Sequence, residues 1–329
     1  MLEFRPGADR GRLLDQVVRA DFAASLGGLL EAFARQDAIG PAETADVMAA
    51  IARPSAPPGM VAAYAGLVEA IYGDQHDRVM ACLEALVDAA RRPPEPEIQF
   101  ATLEDAKLGP GQAARYRALF DDDPAAPLGI VPAEPTGVDA GSALARSALA
   151  LLDRAAPELS GEIRALLRQI VFVRSVDGDP ADRFQGASVF LVWGAVLLNL
   201  EEQPDRLTMA ESLAHETGHS LLSGFTRGRP LVENDPADRY RSPLRSDPRP
   251  MDGIVHATYV TARMHYCLER LLASDALDAV ERSQATTRLA THRQAFGQGL
   301  AVVDAHARFT PVGQAAFAPA RDYMAGRPG

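Results

Sequence analysis

Cysteine is almost missing from this chain: Cys82 and Cys267 are the only two among 329 residues, and no CxxC pair occurs. That excludes a disulfide framework and a cysteine-rich metal site, so the histidines must supply the ligands of any metal site. An excess of positive charge is missing too. The 33 basic and 44 acidic residues leave a formal charge of −11, which argues against nucleic-acid binding, because neutralising phosphates needs a basic surface. No apolar run of about 18 residues appears, and the opening Met1-Leu-Glu-Phe-Arg-Pro-Gly lacks a basic segment followed by an apolar one. The expectation is a cytoplasmic protein with no membrane partner. Internal repeats and low-complexity tracts are also lacking. What is present is a hydrophobic content of 47%, enough for one large core or two smaller ones.

The first third of the chain carries helical periodicity. Leu14, Val17, Phe22, Leu26, Leu29, Leu30 and Phe33 recur at helix spacing, followed by similar patterns over 61–72 and 79–87. This predicts a helical N-terminal domain over 1–125. A proline-rich connection from Asp121 through Pro124, Pro127, Pro132 and Pro135 to Gly141 reads as the boundary. The second domain, 142–329, opens with helical patterns over 143–156 and 162–170. It then changes period: Ile170-Val-Phe-Val173 and the run from Ala187 to Leu200 are rich in branched and aromatic residues and read as strands. The fold class expected is α+β, mainly helical, with a small sheet.

Immediately after those strands comes Leu213-Ala-His215-Glu216-Thr-Gly-His219, an HExxH pattern. Thr208-Met-Ala-Glu211 reads as a capping box ahead of it and Ser223-Gly224 as a stop, predicting a helix of about four turns. Four residues are a little more than one turn, so His215 and His219 share a face and can converge on one ion, with Glu216 just behind. The plain alternative is a pair of hydrogen-bonded core histidines, although a buried helix face normally carries Leu or Ala. A third ligand is needed. Leu222 and Phe225 rule out the extended HExxHxxGxxH form. Of His76, His256, His265, His292 and His306, the choice falls on His256, which lies 37 residues past His219 and follows Asp252-Gly253, read as an N-cap. His265, nine residues further along the same helix, points about 180° away. Glu269 is the alternative, completing a zinc-peptidase set.

Between these ligands, residues 224–250 hold five prolines and six arginines against four acidic residues. A long aperiodic connection with a local excess of arginine beside a metal suits an anionic small molecule, since guanidinium grips carboxylate or phosphate with two parallel bonds. Strands leading into an HExxH helix are, moreover, the arrangement of zincin-like metalloenzymes, in which a peptide can lie along the edge strand beside the metal.

The segment Tyr240-Arg-Ser-Pro-Leu-Arg-Ser-Asp-Pro-Arg-Pro250, followed by Gly253-Ile-Val-His256-Ala-Thr-Tyr-Val260 and taken with the HExxH helix, resembles the HExxH-motif peptide-modification proteins encoded beside ribosomal-peptide biosynthetic genes. The likeness covers roughly residues 185–270. It implies an Fe(II)- and 2-oxoglutarate-dependent peptide β-hydroxylase on a protease-like, zincin-like scaffold, acting on a precursor peptide with dioxygen. In that reading His215, His219 and His256 bind iron and leave three positions of an octahedral ion, two for 2-oxoglutarate and one for dioxygen. Arg249, then Arg245, with Tyr240 as a hydroxyl donor, would take the distal carboxylate. Glu216 would offset charge beside the iron, where the common oxygenase site has a carboxylate ligand in place of a third histidine. Two other classes stay open: a zinc metallopeptidase with Glu216 as general base, and a non-catalytic protein that binds a peptide or partner enzyme.

Overall fold

The computed structural model describes residues 2–54, 56–121, 127–176, 184–242 and 247–326. It is mainly helical, 66% of it, with a small mixed sheet, as the α+β expectation requires. Among the described residues no helix is long and apolar enough to cross a membrane. In chain order the elements are α1 (Ala8–Ala34), α2 (Pro41–Ile51), α3 (Pro58–Tyr72), α4 (His76–Arg91), β1 (Gln99–Thr102), α5 (Asp105–Leu108), α6 (Gln112–Phe120), β2 (Ile130–Pro132), α7 (Pro135–Ala155), α8 (Pro157–Leu166), β3 (Gln169–Ser175), β4 (Gly186–Ala187), β5 (Ala195–Asn199), α9 (Arg206–Thr226), α10 (Met251–Leu272), α11 (Ala279–His306) and α12 (Pro311–Met324). They fall into two compact units, each assembled from separated stretches of chain. Unit 1 gathers Met1–Gly11, Leu144–Ile163 and Asp205–Gly329, and unit 2 gathers Arg12–Ala143 and Arg164–Pro204.

This division differs from the consecutive domains 1–125 and 142–329 expected above. The reason lies in the strand pairing: β1 runs parallel to β3, with Gln99 opposite Gln169, so a strand from before the proline-rich connection joins one from after it. β2 pairs antiparallel with β3, β5 runs parallel to β3 on its other side, and β4 closes that edge antiparallel to β5. The whole sheet belongs to unit 2, whereas the HExxH helix belongs to unit 1. β3 is central and paired on both sides, so Ile170, Val171, Phe172 and Val173 are buried on both faces, which is why it reads as an unbroken apolar run rather than an alternating one. On one face Val171 and Val173 join Leu103, Tyr116, Phe120, Val192 and Leu197 in a core; on the other, Phe172 stacks on Phe100.

The apolar run 187–200 is not one strand. A 3-10 turn over Phe190–Val192 interrupts it, and Gly194 takes φ 92°, a left-handed value that strains any side-chain-bearing residue. Only then does β5 begin.

In unit 1 the core is helical. α9 is 21 residues long, about six turns, and therefore longer than expected. Its start is not the Thr208 capping box: Asp205 is the cap, accepting from the Thr208 amide at 2.7 Å, and Glu211 is committed elsewhere. Its end lies beyond Ser223-Gly224, where Arg227 (φ 54°) and Gly228 (φ 68°) turn left-handed and close the last turn. α10 starts after Pro250, so Asp252 and Gly253 are inside the helix instead of capping it.

Candidate metal centre

What brings α9 and α10 together is visible at Gly218, in the middle of HExxH. A Cβ there would stand 3.1 Å from both Val260 Cγ1 and Arg263 Cγ of α10, so the absence of a side chain lets the two helices touch at this level. Beneath the contact lies a buried ionic node. Glu162 of α8, with no solvent exposure, accepts from the guanidinium groups of Arg263 and Arg10 and from the Gly7 amide at 3.2 Å. Arg263 also donates to the Phe4 carbonyl at 2.8 Å. Buried carboxylate and guanidinium groups are tolerable only when paired in this way.

At the open side of the α9–α10 contact the three chosen histidines meet. His219 Nδ1 lies 2.9 Å from His256 Nδ1, and His219 Nε2 lies 3.1 Å from His215 Nε2. The sixth residue of α10 therefore carries the third imidazole, one turn deeper into the helix than a first-turn position. Burial, reinforced by the neighbouring imidazoles, lowers the His219 pKa well below its ordinary 6.5; burial lowers that of His256, with the Asp252 carboxylate opposing. At neutral pH both rings are uncharged and present lone pairs, which is the form that binds a metal.

The three rings fit a metal ion in type, number, protonation and separation, since two nitrogens bound at right angles about 2.1 Å from one ion lie about 3.0 Å apart. They do not yet fit in aim. His219 meets its two neighbours with different nitrogens, and among the described residues no three His, Cys, Asp or Glu side chains form a group ready to hold an ion. A shared ion requires the His219 ring to turn so that one nitrogen serves.

Asp252 is a functional candidate that the sequence reading took for a helix cap. Its Oδ2 lies 3.6 Å from His256 Nε2, one turn along α10, while its Oδ1 accepts from the Leu231 amide at 3.4 Å. It thus stands beside the far nitrogen of His256, beyond hydrogen-bond length, while Nδ1 faces His219; closer approach would give the carboxylate–histidine arrangement that orients metal ligands. The spacing Asp-x-x-x-His was the available signal. Glu216 is 3.8 Å from His215 Nε2 and is buried, with its side chain 3% exposed against 24% for His215. Glu211, one turn before His215, accepts from His292 at 2.7 Å and from Arg288 at 2.6 Å, both on α11.

The remaining expected residues are placed less directly. Tyr240 and Arg249 exchange backbone hydrogen bonds of 2.8 Å in both directions, which clasps the chain just before α10. The Tyr240 hydroxyl, however, accepts from Asn234 and donates to Asp238, and its ring lies against His306 at 5.3 Å. Arg249 is paired with Asp247 at 2.8 Å, while its Nε has no partner among the described residues. Arg245 lies outside the described residues. The long connection is fastened at its start as well, by a bridge between Val232 and Phe309 and by Asn234, whose side chain donates to the His306 carbonyl at 2.9 Å and accepts from the Arg308 amide at 2.8 Å. His265 turns to Tyr323 at 3.1 Å, and that same tyrosine hydroxyl donates to Glu269 at 2.8 Å, so the alternative third ligand is engaged with α12. No protein-family model and no curated protein sequence matches this chain.

Proposed function

We propose that this chain is an Fe(II)- and 2-oxoglutarate-dependent oxygenase that β-hydroxylates a residue of a ribosomally made precursor peptide, using His215, His219 and His256 as its metal ligands on a zincin-like scaffold. The observation that carries the reading is the arrival of His256, from a separate helix, within 2.9 Å of the HExxH pair. Two histidines one turn apart are common on helices; a third neutral imidazole on the same spot, backed by Asp252, is costly to bury for structural reasons alone. Ferrous iron bound there supplies activation of dioxygen coupled to oxidation of 2-oxoglutarate. The protein's own part is to keep His219 and His256 uncharged, to orient His256 through Asp252, and to offer a guanidinium at Arg249 for the distal carboxylate, in competition with Asp247.

Glu216 decides between this reading and a zinc peptidase. A general base must reach a water that faces substrate. The Glu216 side chain is almost wholly buried, which favours a role in supporting His215 and balancing charge.

The test is anaerobic reconstitution with ferrous iron, then exposure to air with 2-oxoglutarate and the precursor peptide encoded beside this gene. Succinate formed in step with a gain of one oxygen on the peptide is the expected result. Peptide cleavage with zinc and without 2-oxoglutarate would overturn it.

A further inference from the structure

Unit 2 carries a cleft of about 430 Å³ that plays no part in the metal centre. Its walls are Pro57–Gly59, at the start of α3, together with Phe100, Tyr116 and Arg168, and its rim carries Arg92 and Lys107, the chain's single lysine, against one acid, Glu95. The positive end of the α3 dipole opens into the same space.

Behind the lining residues, and not among them, lies a second guanidinium. Arg19 is fully buried. Its Nε donates to Asp15 at 2.9 Å, but neither terminal nitrogen has a hydrogen-bond partner among the described residues. It sits directly behind the cleft: a point 3.5 Å from the Arg19 guanidinium, the Cβ position of Gly194, is also 3.5 Å from Arg168 and from Pro58, both of which line the cleft. The Arg168 Nε is likewise buried and unpartnered among the described residues, although its terminal nitrogen donates to the carbonyls of Arg164 and Ala165. Asp15 is therefore a single carboxylate facing two guanidiniums, and one of its oxygens is shared with Trp193, which donates at 2.8 Å. Burial lowers the pKa of both arginines, the signature of positive charge held with too little compensation.

We infer that this cleft is an anion subsite that takes a carboxylate, carried either by an acidic peptide side chain or by a small dicarboxylic acid. The planar guanidinium groups suit a carboxylate's two oxygens, and Pro57, Pro58, Phe100 and Tyr116 provide an apolar wall for the body that carries it. A pocket of this volume with few convergent polar groups is the usual form of a small-ligand or side-chain site.

Trp193 is the only tryptophan in the chain, and the residue after it, Gly194, lies against the lining residues Arg168 and Pro58, so its fluorescence reports on occupancy. The full-length protein, without metal, is titrated at low salt with acetyl-triglutamate amide and, separately, with glutarate; acetyl-triglutamine amide and inorganic phosphate serve as controls. A saturable change in emission with at least one carboxylate probe is expected, absent with the glutamine peptide and smaller with phosphate. A response to both probes shows that a small dicarboxylate suffices, and a response to the peptide alone shows that the peptide body contributes. Arg168→Met should weaken binding by at least about tenfold, with the fold checked by circular dichroism, and rim variant Lys107→Ala by about threefold. The inference is overturned if neither carboxylate gives a saturable response, if the glutamine peptide or phosphate binds as well as the carboxylates, or if Arg168→Met leaves the affinity unchanged. Because no metal is present, the outcome is independent of the hydroxylase reading.

Discussion

The two units bury polar groups of opposite character. Unit 1 gathers three imidazoles, His215, His219 and His256, with the pKa of His219 and His256 lowered by burial, and joins two buried guanidiniums, Arg10 and Arg263, directly to one carboxylate, Glu162. Unit 2 buries Arg19 with both terminal nitrogens unpartnered among the described residues, behind a cleft lined by Arg92, Lys107 and Arg168. Neutral donors in a cluster call for a cation, and under-compensated cations beside a cleft call for an anion. The two proposals thus assign ligands of opposite sign to the two units.

The contrast breaks most completely at His256. Replacing it with alanine should reduce bound iron, measured by inductively coupled plasma mass spectrometry, to less than about a tenth of the wild-type level; unchanged metal content would remove His256 from the ligand set. Next in size is Glu162→Gln, which leaves two buried guanidiniums sharing a neutral amide. Chemical denaturation should show a loss of about 3–5 kcal/mol, whereas the exposed pair Arg78–Glu69 should be dispensable. Gly218→Val drives a side chain into Val260 and Arg263, where even a Cβ lies at 3.1 Å. It should cost about 1–3 kcal/mol and weaken metal binding as α9 and α10 separate. Equal affinity for metal in that variant would mean that the helix contact does not set the ligand geometry.

Acidity sharpens the comparison. His219 and His256 have folded pKa values below the ordinary 6.5, so the folded protein binds fewer protons than the unfolded chain once the pH falls below about 6.5. Stability of the metal-free protein should therefore drop on acidification from pH 7 to 5, by at most about 1.4 kcal/mol per pH unit for each histidine, and the drop should shrink in His219→Asn. Asp15 works in the opposite sense, because burial raises its pKa above 3.8 and protonation in the folded state becomes easier as pH falls. A pH 7 to 5 melting profile identical in wild type and His219→Asn would show that His219 is not held neutral. The smallest effect expected is that of Glu216→Gln, which should retain appreciable turnover; in a peptidase the same change would abolish it.

Much of unit 1 was legible in the chain because its signals are local. HExxH places His215 and His219 on one helix face through its spacing, and His256, chosen because Leu222 and Phe225 exclude the extended motif, lies beside His219. Asp252 was legible as well, four residues before His256, but was taken for a cap. The rest depends on residues far apart in sequence. β1 is four residues long and sits within what reads as helical chain, too short for a period to emerge; its partner β3 begins 70 residues later. Parallel pairing leaves no local turn signature. Glu162 and Arg263 are 101 residues apart, and the unit 2 cleft draws on α3, β1, α5, α6 and the start of β3. No pattern along the chain marks Arg19 as different from the other arginines. Burial does.

The most direct test of the metal centre is X-ray absorption spectroscopy on the iron-loaded protein, wild type beside His256→Ala. Three imidazole nitrogens at about 2.1 Å, reduced to two in any residual bound iron of the variant, are predicted. A spectrum fitted by two imidazoles and a protein carboxylate, identical in both proteins, would contradict the assignment.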